Sequence, residues 1–259
     1  MRPLLQVSGL TKAFKRGGRG VPAVQDVSFD IGPAETLALV GPSGSGKSTL
    51  ARLVTRLIEP DGGSILFEGE DILRLKPKAM RAMRARLQIV FQDPGSAFNP
   101  RATVSRAIAD SLKIHTGFSQ GERRTRVRDL LERVRLNPDL AERSIHDLSG
   151  GQRQRVAIAR AMASSPTLIV LDEAVSALDV SVRAEILHLL KRLQRETRVA
   201  YLFITHDLGV VRAIADRVAV LDDGRIVEHG SAQEIIATPQ SPTAQALVAA
   251  VPRLRLQAQ

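Results

Sequence analysis

The chain has 259 residues, of which 44% are hydrophobic and 25% charged, a composition typical of a globular protein with one large or two small domains. It contains no cysteine, which excludes disulfides, thiol catalysis and cysteine-based metal sites, and no apolar run approaches the about 18 residues of a membrane-spanning helix. The formal charge of +10 would suit an anionic partner, but one Tyr and no Trp provide no aromatic and basic surface for stacking bases, so we expect no nucleic acid.

The N-terminal third is predicted to be mainly strands. Segments 4–14 and 23–31 alternate between apolar and polar residues and are predicted to form antiparallel strands. The apolar run at 35–41 predicts a buried strand that leads into a turn. A helix is predicted from Ser48 to about Ile58, and 63–72 predicts a second strand pair around a glycine turn.

A glycine-rich loop, GPSGSGKST, joins the buried strand to the first helix and fits the pattern G-x-x-x-x-G-K-[ST]. Its glycines let successive backbone N–H groups face phosphate oxygens, and the helix N-terminus adds partial positive charge. Lys47 is expected to reach the β- and γ-phosphates, and the Ser48 hydroxyl to ligate Mg²⁺. The predicted ATP-binding residues are Gly41, Pro42, Ser43, Gly44, Ser45, Gly46, Lys47, Ser48 and Thr49.

The periodicity becomes helical over 103–163, which predicts a helical subdomain. After it, the apolar runs at 167–172 and 200–205 predict buried parallel strands. The segment between them, 181–196, predicts an amphipathic helix. The last predicted element is a hairpin over 217–230, with its turn at Asp223-Gly224.

Two carboxylates end the predicted strand LIVLDE. Asp172 is placed to hold Mg²⁺ beside Ser48, and Glu173 is placed to orient and deprotonate an attacking water. Acidic residues at the surface end of a strand are common and would be weak evidence alone. Their place downstream of Lys47 in a strand–helix context supports the catalytic interpretation.

The segment LSGGQRQR at 148–155 predicts a second helix N-terminus that could bind an anion, through the Ser149 hydroxyl and free N–H groups. An ordinary helix cap is the alternative. Because the chain already has one phosphate loop, a second anion-binding helix N-terminus would have to serve a different purpose.

LSGGQ ends 20 residues before Asp172 (172 − 152) and resembles the signature motif of ABC ATPases. In that family the signature of one subunit closes over the γ-phosphate held by the other subunit, so the resemblance implies ATP sandwiched between two subunits. It implies trans-acting roles for Ser149, Gly150, Gly151 and Gln152, and for Asp179, which resembles the D-loop aspartate. It also implies that Gln92 senses Mg²⁺ and water, that His206 contacts the γ-phosphate and that Phe14 stacks on adenine.

The same resemblance implies an α/β fold of the ABC-ATPase type: a RecA-like P-loop core, a small antiparallel β subdomain and an inserted α-helical subdomain. The expected ATPase domain covers 4–252, with the helical subdomain at about 93–165 and a short basic tail at 253–259. The implied cofactors are ATP and Mg²⁺. The expected enzyme is a Mg-dependent ATPase coupled to transport.

Three phrases, at 92–104, 172–187 and 203–218, resemble the ATPases of oligopeptide, dipeptide and nickel importers. This implies that integral membrane permeases are partners and that they contact the chain near 99–101. It also implies a second ATPase subunit, either a second copy or a paralogue, and a solute-binding protein that acts indirectly. The expected location is peripheral, on the cytoplasmic face of the membrane. Ser-Pro-Thr-Ala at 241–244 departs from the His-Pro-Tyr-Thr usual in peptide-type members, so the solute is left open.

Two other functions were weighed. A soluble ABC ATPase in a nucleic-acid or ribosome-associated process is the alternative, but only 55 residues (93–147) separate Gln92 from the signature, too few for a long coiled-coil insertion. A module without activity would need a damaged catalytic residue. Lys47, Asp172, Glu173 and His206 are all present.

Overall fold

The protein is described by a computed structural model over residues 2–16, 19–95, 97–99 and 101–250. The strands in this part are β1 (Leu5–Arg16), β2 (Arg19–Ile31), β3 (Thr36–Val40), β4 (Gly62–Phe67), β5 (Glu70–Asp71), β6 (Leu87–Val90), β7 (Leu168–Asp172), β8 (Ala200–Ile204), β9 (Arg217–Asp222) and β10 (Arg225–Ser231). The helices are α1 (Lys47–Val54), α2 (Pro77–Met83), α3 (Val104–His115), α4 (Gln120–Arg133), α5 (Gly150–Met162), α6 (Val180–Thr197), α7 (Leu208–Ile214), α8 (Ala232–Ala237) and α9 (Pro242–Ala249).

A six-stranded sheet in the order β10-β9-β3-β8-β7-β6 forms the centre of the fold. All its neighbouring strands are parallel except the β9–β10 hairpin. Every residue of β3, β7 and β8 is buried, which explains why their sequences are continuous apolar runs rather than alternating ones. Because the carboxyl ends of parallel strands meet at one edge, the loops after β3, β6, β7 and β8 lie together there.

A second, four-stranded antiparallel sheet in the order β2-β1-β4-β5 packs beside the first. Both predicted strand pairs of the N-terminal third are confirmed, and the strands of the first pair are longer than the sequence indicated. One hydrophobic cluster joins this sheet to α1 and to one face of the central sheet, through side chains such as Leu10, Phe67, Leu50 and Leu202. The antiparallel sheet is therefore fixed to the core that carries the phosphate loop.

Helices α3, α4 and α5 form the helical subdomain, and the structure describes no named strand among them. Its side chains belong to the same hydrophobic cluster as the inner face of α6 and the second face of the central sheet. Side-chain caps start each helix: Thr103 accepts from Arg106 N, and Ser119 and Ser149 form capping boxes. The α/β architecture with its two subdomains is thus confirmed.

The structure departs from the sequence prediction at several element bounds. Helix α1 ends at Val54 instead of about Ile58, because Thr55 Oγ1 bonds back to Ala51 O and Arg56 takes a left-handed φ of 49°. Helix α2 was not predicted. The expected tail at 253–259 lies outside the described residues, as does Pro100. In the part of the chain that is described, no helix has the length and apolarity needed to cross a membrane.

Candidate active site

The phosphate loop lies between β3 and α1 and is held tightly against two other strands. A Cβ added to Gly46, which has a φ of 104°, would lie 2.2 Å from the Ala23 carbonyl oxygen, and one added to Gly41 would lie 2.0 Å from the Leu221 carbonyl oxygen. Ser45 O accepts a hydrogen bond of 3.0 Å from the Gly224 N–H. The glycines are therefore required by close backbone approach, which no side chain would permit.

Lys47 is buried, at 6% exposure. Its Nζ donates to Gly41 O at 2.9 Å and to Pro42 O at 2.7 Å. Burial lowers the pKa of Lys47, and the charges of Glu173 and Asp172 oppose that shift. The loop, with Ala23 and Glu173, lines a cleft of about 280 Å³.

Ser45 is a second buried polar residue of the loop. Its Oγ is buried and makes no hydrogen bond within the described chain. An unsatisfied buried hydroxyl costs stability unless a ligand satisfies it. A buried ammonium and an unpaired hydroxyl at a helix N-terminus fit an anion with several oxygens, such as a polyphosphate.

Asp172 ends β7 and lies beside the start of α1. Ser48 Oγ donates to Asp172 Oδ1 at 3.0 Å, which joins two of the three predicted metal ligands, Gln92 being the third, across 124 residues of sequence. Burial raises the pKa of Asp172 above its ordinary value, although the hydrogen bond from Ser48 opposes that shift. Mg²⁺ commonly takes one or two protein carboxylates and completes its shell with water and substrate phosphates. One carboxylate and one hydroxyl beside a phosphate cleft fit that pattern, whereas the described residues contain no group of three or more His, Asp or Glu able to hold a metal alone.

Glu173 takes a left-handed backbone conformation, with a φ of 50°. Such conformations are costly for a residue with a Cβ and are concentrated at functional sites. Its N–H donates to Ile204 O at 3.0 Å, so the turn after β7 is tied to the end of β8. The conformation directs the carboxylate of Glu173 to the cleft, whose wall it helps to form.

Two predicted residues from separate loops meet this carboxylate. Gln92 Nε2 donates to Glu173 Oε2 at 3.1 Å, and His206 Nδ1 lies 3.6 Å from Glu173 Oε1. Gln92 also donates to Ser176 Oγ at 3.4 Å, a contact that the sequence analysis missed. Three side chains that are far apart in sequence therefore converge next to the phosphate loop, and His206 remains 56% exposed.

Phe14 lies on β1 with 44% of its surface exposed. Phe14 pairs across the sheet with Val21, which lies two residues from Ala23 in the wall of the cleft. Phe14 itself does not line the cleft. Lys12 Nζ lies 5.8 Å from the centroid of the ring.

Asp61 fixes the position of that lysine. Its Oδ1 accepts from Lys12 Nζ at 2.8 Å, and its Oδ2 accepts from Ala13 N at 2.7 Å. The hydrogen bond from Lys12 is the main reason that the pKa of Asp61 is lowered. The sequence offered no signal for this support, because the residues are 49 positions apart.

The signature residues do not contribute to the cleft in this chain. Ser149 caps α5, accepting from Gln152 N at 3.2 Å, while Gln152 Oε1 accepts from Ser149 N at 2.9 Å. The predicted cap is therefore present. The N–H groups of Ser149 and Gln152, which were predicted to be free for an anion, are bonded within this cap. A Cβ on Gly151 would lie 2.5 Å from Val182 Cγ1, so the start of α5 packs on the first turn of α6, next to the exposed Asp179.

Residues 24–176 match the family model described as ABC transporter. A probable peptide ABC transporter ATP-binding protein of Sinorhizobium fredii is 50% identical over 256 residues, which cover 96% of this chain and 72% of that protein. The glutathione import ATP-binding protein of Salmonella choleraesuis is 50% identical over 258 residues, but the match covers only 41% of its length. Among solved structures, the dimeric ATP-binding cassette MJ0796 in a post-hydrolysis state bound to ADP and Pi has a TM-score of 0.80 at 31% identity, covering 88% of this chain and 98% of that one.

Proposed function

The chain belongs to the ABC transporter family, and we propose that it hydrolyses Mg-ATP to drive an importer of peptides or of a related small solute such as a nickel chelate. As a member of that family it is an ATP-binding ATPase subunit. The observation that carries the hydrolytic proposal is the convergence of Gln92, Glu173 and His206 beside the phosphate loop. Relatives named for a peptide ABC transporter and for glutathione import support the solute class.

In this proposal the phosphate loop, residues 41–49, binds the phosphates of ATP. Lys47, the Ser45 hydroxyl and the N–H groups at the start of α1 neutralise phosphate charge. Lys47 lines the cleft, and its ammonium exchanges the carbonyl oxygens of Gly41 and Pro42 for phosphate oxygens when ATP binds. Phe14 stacks on the adenine, and Lys12 lies over the ring of Phe14.

Ser48 and Asp172 would hold Mg²⁺, and Gln92 would join them. The amide nitrogen of Gln92 donates to Glu173, and its oxygen makes no hydrogen bond within the described residues. When bound, Mg²⁺ neutralises charge that develops on the phosphates. Glu173 accepts the proton of the attacking water. A hydrogen bond from Gln92 holds its carboxylate in place, and the exposed imidazole of His206, which lies beside that carboxylate, is available to the γ-phosphate.

The site is completed by a second chain, which is either another copy or a paralogue. In the described chain Ser149, Gly150, Gly151, Gln152 and Asp179 lie away from the cleft, on a surface next to the exposed Val180. We infer that this surface closes over the nucleotide of the partner. Ser149 Oγ accepts a hydrogen bond within its own helix, yet its O–H remains free to donate to a phosphate oxygen.

The proposed partners are integral membrane permeases, with a solute-binding protein acting indirectly, and the proposed location is peripheral, on the cytoplasmic face of the membrane. Relatives named as import ATP-binding proteins support this assignment. They do not favour the alternative, a soluble ATPase in a nucleic-acid or ribosome-associated process.

A direct test has a biochemical and a cellular part. The purified chain should release phosphate from ATP with Mg²⁺ and not with EDTA. Host cells that carry only a Lys47→Ala chain should lose uptake of a labelled peptide, or of nickel if a nickel chelate is the solute. Normal uptake of both would contradict the importer assignment.

A further inference from the structure

Arg183 joins two loops of the candidate site, although none of the chemistry above uses it. It lies on the first turn of α6, where its Nη1 is 2.6 Å from Asp207 Oδ2 and its Nη2 donates to Leu178 O at 3.1 Å. Leu178 directly precedes Asp179, and Asp207 directly follows His206. A single guanidinium therefore links the loop that ends at Asp179 to the loop that carries His206.

Both ends of this link are anchored. Asp207 Oδ1 caps α7 by accepting from Gly209 N at 2.8 Å and Val210 N at 3.4 Å. The N–H of Arg183 donates to Asp179 O at 2.8 Å within α6. Charge-assisted hydrogen bonds from a planar guanidinium are strong and directional. A shift of one loop is therefore transmitted to the other rather than absorbed by a flexible side chain.

The same turn of α6 also contacts the signature helix. Val182 packs on Gly151, and Leu178 lies 3.7 Å from the Cβ position of Gly150. Arg183 therefore stands between two half-sites of one chain. One half-site, with the start of α5 and Asp179, is assigned above to the nucleotide of the partner. The other, with His206 beside Glu173, belongs to the chain's own nucleotide.

We propose that Arg183 is a positioning residue that couples the two nucleotide sites of the dimer. When the partner's nucleotide moves the loop before Asp179, Arg183 moves Asp207 and, with it, the adjacent His206. This inference rests on the proposed function, because it requires ATP sites shared between two chains. A partly exposed ion pair that served stability alone would contribute little and would leave cooperativity unchanged.

The test compares Arg183→Gln, Asp207→Asn and the double variant. Asparagine caps helices as well as aspartate does, so Asp207→Asn removes the charge and keeps the cap of α7.

Steady-state ATP hydrolysis is measured against ATP concentration. Each single variant should lower kcat by about tenfold, since misplacement of a catalytic group by a distant mutation costs up to about 100-fold. Each should also bring the Hill coefficient towards unity, and the double variant should be no worse than either single one. Binding of a fluorescent ATP analogue to the monomeric chain should not change.

Glu185→Gln is the matched control. It breaks another ion pair of α6, in which Arg155 Nη2 lies 2.7 Å from Glu185 Oε2, and that pair contacts neither loop. This variant should retain the kcat and Hill coefficient of the wild type. The proposal is overturned if Arg183→Gln keeps the wild-type Hill coefficient, if the double variant shows additive losses, or if the wild type is not cooperative. A wild type that hydrolyses no ATP would instead contradict the proposed function itself.

Discussion

At the scale of single residues, Glu173 combines a strained backbone, a place in the cleft wall and two side-chain neighbours that hold its carboxylate. Asp172, one residue earlier, is directed instead to Ser48. Adjacent carboxylates thus have different surroundings, which matches the separate roles of base and metal ligand. The sequence predicted both roles from their order alone. It could not indicate the left-handed turn that separates them.

Glu173→Gln should abolish turnover and leave ATP binding intact. Glutamine has the same shape but cannot accept the proton of water, so kcat should fall by about 100-fold or more. Phosphate release and equilibrium binding of ATP test the two parts. We also expect the variant to accumulate as a closed dimer with ATP. Turnover near the wild-type rate would exclude Glu173 as the general base.

Phe14→Ala should weaken ATP binding through loss of adenine stacking. Stacking of a base on an aromatic ring contributes about 1–3 kcal/mol, so KM for ATP should rise by about 5-fold to 150-fold while kcat changes little. Val21→Ala is the control, because Val21 pairs with Phe14 and is similarly exposed, at 47%. An unchanged KM would show that Phe14 only covers the sheet.

At the scale of elements, one carboxylate fixes the last described helix. Glu228 on β10 accepts from Gln240 N at 2.9 Å and from Ser241 N at 2.7 Å, at the start of α9. Burial raises the pKa of Glu228, but the hydrogen bonds from Ser241 and Gln240 outweigh it and hold the pKa below its ordinary value. A depressed folded-state pKa stabilises the protein above the ordinary pKa, and this stabilisation is lost as the pH falls through the folded-state value.

Glu228→Gln should therefore destabilise the protein at neutral pH, by about 1 kcal/mol after allowance for the exposure of the site. The difference from the wild type should shrink as the pH falls below the ordinary glutamate pKa of about 4.3. Urea unfolding at neutral and acidic pH measures it. Glu70→Gln, at an exposed carboxylate on β5, is the control and should change stability little at either pH. A difference independent of pH would show that the charge of Glu228 is not the cause.

At the scale of the whole molecule, the cleft and the signature residues lie apart in one chain. A related cassette of similar fold has been solved as a dimer bound to ADP and Pi. If each ATP site takes its phosphate loop from one chain and its signature from the other, two chains with different defects can repair one another.

A mixing experiment uses Lys47→Ala and Ser149→Arg chains. Each alone should be inactive, since every site then has a damaged half. An equal mixture should recover activity, because half of the dimers pair unlike chains and each of these has one intact site. Independent sites would give about a quarter of the wild-type activity, and coupled sites give less. A chain with both substitutions, mixed with Lys47→Ala, should recover nothing. Without recovery in the first mixture, two copies of this chain do not share their sites.

The sequence by itself determined the elements with strong local patterns and the residues with a motif. The phosphate loop, the buried strands and the capped start of α5 follow from glycine spacing, apolar runs and capping residues, which are local properties. The early end of α1 was missed, because contacts of Arg56 with the distant carbonyls of Ile72 and Leu75 help to form the turn after it. Only the tertiary structure decided that Gln92 and His206 meet Glu173, that Asp61 fixes Lys12 and that Arg183 links two loops. These contacts depend on parallel strands bringing distant segments to one edge and on side-chain geometry, which no local pattern encodes.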